Sequence, residues 1–123
     1  MSKTVLVADD EPSIVVSLEY LLEREGYRVL VARDGEEALA VVQAQRPDLI
    51  LLDVMMPRMS GFDVCQRIRE SSSAHDILIV MLTAKGRDIE INKGLELGAD
   101  AYITKPFSTR ELMATVRELL ARE

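Results

Sequence analysis

Tryptophan is absent from this sequence of 123 residues, and cysteine and histidine occur once each, as Cys65 and His75. A lone cysteine closes no internal disulfide, so nothing calls for an oxidising compartment; within an apolar helical pattern, Cys65 reads as a core filler. His75 has no partner at metal-ligand spacing except adjacent Asp76, which argues for an exposed histidine rather than a ligand. Cations are scarce: 15 Lys plus Arg face 21 Asp plus Glu, a net charge of −6, too acidic for direct nucleic-acid binding. Long hydrophobic runs are missing as well. Met1-Ser2-Lys3-Thr4 leads into Val5-Leu6-Val7-Ala8 and meets acid at Asp9, far short of a signal-peptide core or a membrane span. The expectation is a cytoplasmic protein with no membrane attachment. Its length is that of one domain, residues 1–123, and 48% hydrophobic residues suffice for a core without disulfides or structural metal.

Five apolar or β-branched runs each give way to a turn and then to a pattern of helical period. The strand candidates are Thr4 to Ala8, Tyr27 to Ala32, Asp48 to Leu52, Ile77 to Leu82 and Ala101 to Thr104. Helical stripes follow: Ile14, Leu18, Leu21 and Leu22; then Ala38, Leu39 and Val42; then Phe62, Cys65 and Ile68. A fourth helix, about Asp88 to Leu97, is weakly amphipathic and contains Gly94, which costs about 1 kcal/mol against Ala, so it is expected to be the least stable. The last helix opens on a capping box, Ser108 and Glu111, and carries Leu112, Val116, Leu119 and Leu120. The polar stretch Glu70-Ser71-Ser72-Ser73 reads as a surface loop. Strands alternating with helices imply βαβ units, and Leu49-Ile50-Leu51-Leu52 and Ile77-Leu78-Ile79-Val80 are apolar on both faces, as central parallel strands are. Right-handed crossovers then predict a doubly wound α/β fold with sheet order 2-1-3-4-5, whose ligands bind beyond the carboxyl ends of the strands.

At that edge the sequence places Asp9, Asp10 and Glu11 after the first strand, Asp53 after the third, Thr83 and Ala84 after the fourth, and Lys105-Pro106 after the fifth. Two carboxylates about 4 Å apart repel by about 4 kcal/mol at an effective dielectric near 20, so positive charge has to converge there too. Lys105 supplies one such charge. Mg²⁺ supplies more: it binds one or two carboxylates, keeps waters and bridges to phosphate oxygens. Carboxylates, a metal, a hydroxyl and an ammonium around one point describe phosphoryl transfer, with Asp53 as nucleophile and Thr83 donating to a phosphoryl oxygen. Singly, each of these groups is equally a helix cap, a solvated strand end or a turn; their joint placement at one edge carries the reading.

These residues resemble the receiver domain of two-component response regulators, and the resemblance covers the whole chain. It rests on Val5-Leu6-Val7-Ala8-Asp9-Asp10-Glu11 and on Asp53-Val54-Met55-Met56-Pro57-Arg58-Met59-Ser60-Gly61, which fits the family's D-x-x-M-P-x-x-x-G. Leu82-Thr83-Ala84 and the run from Gly98 through Lys105-Pro106-Phe107 complete it. The resemblance implies a flavodoxin-like (βα)5 fold in which Asp53 accepts a phosphoryl group from a phosphohistidine of a sensor histidine kinase or phosphotransfer protein. It implies Mg²⁺ held by Asp10, Asp53 and the backbone carbonyl of Met55, with Asp9 acting mainly through water. Thr83, Ala84 and Lys105 would contact the phosphoryl group, and the Lys105–Pro106 bond would be cis, as X-Pro bonds allow. It further implies a switch in which Thr83 moves toward the phosphoryl oxygen and Tyr102 turns inward. The face of the fourth helix, fifth strand and fifth helix would then change its partners. Met55 and Lys85 occupy the two positions that tune the lifetime of the phosphorylated state; neither offers an acceptor to an attacking water, so slow self-hydrolysis is expected.

Three rival readings use the same residues. A small-molecule aspartyl-phosphate phosphatase would need an acid two residues after its nucleophile, where Met55 stands. A flavodoxin-type electron carrier would need a phosphate loop where Asp9-Asp10-Glu11-Pro12 repels phosphate. A receiver-like scaffold that is never phosphorylated keeps the motif without using it. With the chain ending at Glu123, both a freestanding receiver and one belonging to a longer regulator with an effector domain fit. A homodimer through the fourth helix, fifth strand and fifth helix would use residues such as Lys93, Arg110 and Arg117.

Overall fold

The computed structural model describes residues 3–84 and 88–121. Ten elements alternate: β1 (Thr4–Ala8), α1 (Pro12–Arg24), β2 (Arg28–Ala32), α2 (Gly35–Gln45), β3 (Leu49–Asp53), α3 (Gly61–Glu70), β4 (Leu78–Ala84), α4 (Asp88–Glu96), β5 (Ala101–Lys105) and α5 (Thr109–Ala121). The strands form one parallel sheet in the order β2-β1-β3-β4-β5, the expected doubly wound topology.

Successive strand residues point to opposite faces, so the apolar runs of β1, β3 and β4 supply two cores at once. Leu6, Ala8, Ile50, Leu52, Ile79 and Met81 pack under α2 and α3 with Ala38, Val42, Val64, Cys65 and Ile68. Val5, Val7, Leu49, Leu51, Val80 and Leu82 pack under α1 and α5 with Leu18, Leu22, Leu112 and Val116. Full burial of each large aliphatic side chain contributes about 2 kcal/mol, which anchors the three central strands that carry the site. Cys65 is buried in the first of these cores, and burial pushes its thiol pKa up. His75 is exposed on the surface loop after α3.

Side-chain caps start three helices: Asp34 accepts from the Glu37 amide at α2, Ser60 from the Asp63 amide at α3, and Ser108 serves α5. At α5 the Glu111 amide donates to Ser108 Oγ at 3.3 Å, the first half of the expected capping box. In α1 the buried stripe is Val15, Leu18 and Leu22, with Ile14 and Leu21 only partly covered, because the helix is rotated slightly from the expected face. α4 buries only Gly94 among its residues, in keeping with its weak pattern.

The strand limits differ from expectation in a way that matters. β3 ends on Asp53 rather than Leu52, β4 reaches Ala84 and β5 reaches Lys105, because the parallel register continues through Asp53↔Leu82, Thr83↔Thr104 and Ala84↔Lys105. Asp53, Thr83 and Lys105 are therefore strand residues held by ladder hydrogen bonds, not loop residues following strands.

Candidate functional site

Asp9 follows β1 directly and is completely buried. Its Oδ1 accepts the Glu11 amide at 3.0 Å, and its Oδ2 accepts Lys105 Nζ at 2.9 Å. Asp53, 6% exposed at the end of the neighbouring central strand, turns Oδ1 toward the Met55 amide at 3.3 Å and lies 3.4 Å from the same ammonium. Asp10 is exposed at the rim, and one carboxylate oxygen each of Asp9, Asp10 and Asp53 fall within 4.8 Å of one another. Asp10, Glu11, Asp53, Val54, Met55, Leu82, Ala84 and Lys105 line a cavity of about 270 Å³. The Lys105–Pro106 peptide bond is cis.

The chain between β3 and α3 has to turn back tightly over Asp53. Gly61 makes that turn sterically feasible: a Cβ there would lie 2.3 Å from the Asp53 carbonyl oxygen, and its amide donates to Val54 O at 2.9 Å. The loop that carries Met55 is thus fastened to the strand that carries Asp53.

The electrostatics are those of a charge cluster short of cations. Burial, and then the charge of Asp9, push the Asp53 carboxyl up to about 6, against the opposing pull of Lys105 and the Met55 amide. For Lys105, burial works to lower the pKa, but the hydrogen bond to Asp9 and the charges of Asp53 and Asp9 outweigh it and raise the ammonium above its ordinary value. The lysine stays protonated and holds two carboxylates together. The donor set is all hard oxygen, three carboxylates, which fits Mg²⁺ in its usual mode of few protein ligands and several waters.

Thr83 is 1% exposed, and its Oγ1 has no hydrogen-bond partner among the described residues. A buried hydroxyl without a partner costs about 1–3 kcal/mol, an unusual feature that an incoming acceptor oxygen would relieve. Tyr102 pairs in register with Met81, and Thr104 with Thr83, so Thr83 and Tyr102 share one face of the sheet a step apart. Tyr102 is 45% exposed. Lys85 lies outside the described residues.

Glu11 Oε1 stands 3.9 Å from Lys105 Nζ, a third carboxylate near the ammonium. Sequence reading noted Glu11 in the acidic run but assigned it no role; its position directly after Asp9-Asp10 was the available signal. The basic residues named for a dimer face, Lys93, Arg110 and Arg117, all lie exposed on α4 and α5. Arg117 pairs with Glu25 at the end of α1 at 2.8 Å, and the Lys93 ammonium sits 4.6 Å from the centre of the Phe62 ring on α3. The large apolar side chains exposed on α4 and β5 are Ile89, Leu95 and Tyr102.

This arrangement has relatives. Residues 5–117 match the response regulator receiver domain family, and the chain belongs to that family. It is 52% identical over 122 residues to the alkaline phosphatase synthesis transcriptional regulatory protein PhoP of Bacillus subtilis (strain 168), covering 99% of this chain and 50% of that protein. The chain spans about half the length of the curated relatives it matches. Among solved structures it is similar to the chemotaxis response regulator CheY4 of Vibrio cholerae, with a TM-score of 0.90, 36% identity and coverage of 96% and 98% of the two chains. It is also similar to the receiver domain of the sensor histidine kinase PA1611 of Pseudomonas aeruginosa PAO1, with a TM-score of 0.87 and 29% identity, covering 96% and 97%. That structure holds a magnesium ion in its active-site cleft. The family is a signalling domain of two-component systems, and a phosphoacceptor switch is its role.

Proposed function

We propose that residues 1–123 act as one receiver unit in which Asp53 accepts a phosphoryl group from a phosphohistidine of a sensor histidine kinase or phosphotransfer protein. The observation that carries this is the convergence of Asp9, Asp10 and Asp53 oxygens within 4.8 Å, with Lys105 Nζ 3.4 Å from Asp53.

An Asp53 carboxylate oxygen attacks the phosphorus, the P–N bond to the imidazole breaks, and the electron pair leaves with the histidine nitrogen. Bound Mg²⁺, held by Asp10, Asp53 and the Met55 carbonyl, with Asp9 through water, would offset the charge on the phosphoryl oxygens. Lys105, now shared between Asp9 and Asp53, turns one of its protons to a phosphoryl oxygen once Asp53 has become an acyl phosphate. Thr83 gives its unpartnered hydroxyl to another, and Ala84, a methyl group at the cavity wall, leaves room for the group. Movement of Thr83 opens space on the face it shares with Tyr102, whose ring then turns inward and changes what the face of α4, β5 and α5 binds. The chain thereby assists its own phosphorylation and dephosphorylation without acting on a separate substrate. No helix among the described residues is long and apolar enough to cross a membrane, and we place the protein in the cytoplasm. An effector domain or protein reads the switched face, and a second copy docking on it is one such reader.

Intact mass after incubation with Mg²⁺ and acetyl phosphate tests the assignment. The expected result is a gain of one phosphoryl group that requires the metal and disappears in Asp53→Asn. Labelling that persists in the variant would overturn it.

A further inference from the structure

The five described methionines differ sharply in exposure. Met81 and Met113 are buried, Met56 is nearly so at 9%, and Met59 is partly covered. Met55 is 68% exposed and lines the cavity that also exposes Asp53 and Lys105. Its thioether is the open sulfur of the chain's described part, and it sits two residues beyond the phosphoacceptor.

We propose that Met55 is a redox modification site: hydrogen peroxide converts its thioether to the sulfoxide, and the new oxygen shortens the life of the phosphoryl group on Asp53. The proposal rests on the reading of Asp53 as acceptor. In the oxidation a sulfur lone pair attacks one peroxide oxygen and the O–O bond breaks. The departing hydroxide takes the proton from the transferred oxygen and leaves as water. Sulfur loses two electrons and peroxide gains them.

Selectivity follows from position. Buried sulfurs are shielded from an aqueous oxidant, and the cavity is lined by the carboxylates of Asp10, Glu11 and Asp53, with buried Asp9 behind them, against one ammonium. That field repels anionic oxidants but not neutral peroxide. The consequence follows from chemistry. Around the acyl phosphate the Met55 thioether is a very weak acceptor and the Ala84 methyl group none, so an attacking water finds nothing on that side to orient it. A sulfoxide oxygen is a strong acceptor on the same flexible stem, able to hold a water in line with the phosphorus. Because the side chain is exposed, the change disturbs no core packing.

The test treats the unphosphorylated chain with limiting hydrogen peroxide and maps the oxidised peptides by mass. The chain is then labelled with Mg²⁺ and acetyl phosphate, the donor is removed, and loss of the phosphoryl group is followed by intact mass. Met55 is expected to gain one oxygen before Met56, Met59, Met81 or Met113, and the lifetime to fall by about threefold to tenfold, the effect of one added hydrogen bond in the transition state. Methionine sulfoxide reductases should restore it. Met55→Leu should show the same decay with and without peroxide, and Met55→Gln should decay faster than the untreated chain with no oxidant at all. Oxidation of another methionine first, or a lifetime unchanged or lengthened once Met55 is oxidised, would overturn the proposal. An untreated chain that takes no phosphoryl group overturns the acceptor reading and this one together; labelling on Asp53 with a peroxide-insensitive lifetime overturns this one alone.

Discussion

Replacing Asp53 by Asn should stabilise the metal-free protein at neutral pH while removing its proposed activity. Asp53 is 6% exposed, and its carboxyl is raised from 3.8 to about 6, chiefly by burial and then by Asp9. Because the folded value lies above the unfolded one, the native state binds the proton more tightly, and stability falls as pH rises from about 4 through about 6. Above that window, charging the native carboxylate costs about 3 kcal/mol, from roughly two pKa units at about 1.4 kcal/mol each. Asn is isosteric, its Oδ1 still accepts the Met55 amide, and Lys105 keeps its 2.9 Å bond to Asp9. Urea unfolding in chelator at pH 7.5 should therefore show the variant more stable by up to about 3 kcal/mol, equivalent to roughly 10 °C in Tm for a chain of this size. At pH 4 the two proteins should converge, since the side chain at position 53 is then neutral in both folded states. Saturating Mg²⁺ should narrow the gap at pH 7.5 by stabilising the wild type alone. Equal unfolding midpoints at pH 7.5 in chelator, or a variant less stable than the wild type there, would refute the charge-cluster account.

Other perturbations probe the same geometry. Lys105→Ala strands the fully buried Asp9 beside Asp53, and a loss of about 3 kcal/mol is expected in chelator, partly recovered with Mg²⁺; a loss below about 1 kcal/mol in urea titrations would contradict the pairing. Thr83→Val removes a hydroxyl that has no partner among the described residues, so the urea midpoint should not fall, while phosphoryl uptake from acetyl phosphate should slow by about tenfold. Unchanged uptake would take Thr83 out of the site. At Gly35 an added Cβ would meet the Met59 carbonyl oxygen at 2.3 Å, a backbone atom that cannot swing aside. Gly35→Ala should therefore displace the loop bearing the Met55 carbonyl and weaken Mg²⁺ binding by about tenfold in calorimetry, and wild-type affinity would show that the loop has slack.

Much of the site could be read from the chain because strand ends are marked by abrupt changes of residue type. Leu49 to Leu52 stop at Asp53, Val5 to Ala8 stop at Asp9, and Ile103 to Thr104 stop at Lys105; in a doubly wound sheet those ends share one edge. Less visible was where each strand stops pairing. Register is a property of two strands, and the Asp53↔Leu82 and Ala84↔Lys105 pairs lengthen β3, β4 and β5 by one residue or two beyond their apolar runs. The neighbours of the basic residues on the last two helices are hidden for a related reason. A charged side chain on a helix carries no mark of its neighbour, and only packing revealed that Arg117 meets Glu25 and Lys93 meets Phe62. Cys65 and the α5 stripe were read as buried from periodicity alone, since apolar residues at helical spacing have one way to leave water.

By itself the amino-acid order determined the alternation of strands and helices, the two-faced burial of β1, β3 and β4, and which residue types reach the carboxyl edge. Those follow from local pattern and from the solvent's rejection of apolar surface. The tertiary structure alone decided that Lys105 binds Asp9 at 2.9 Å and lies 3.4 Å from Asp53, that the Thr83 hydroxyl is buried without a partner among the described residues, and that Met55 stands open at the cavity mouth. Distances between side chains far apart in sequence, and the burial that sets their charge, depend on how ten elements pack together, and no local pattern encodes them.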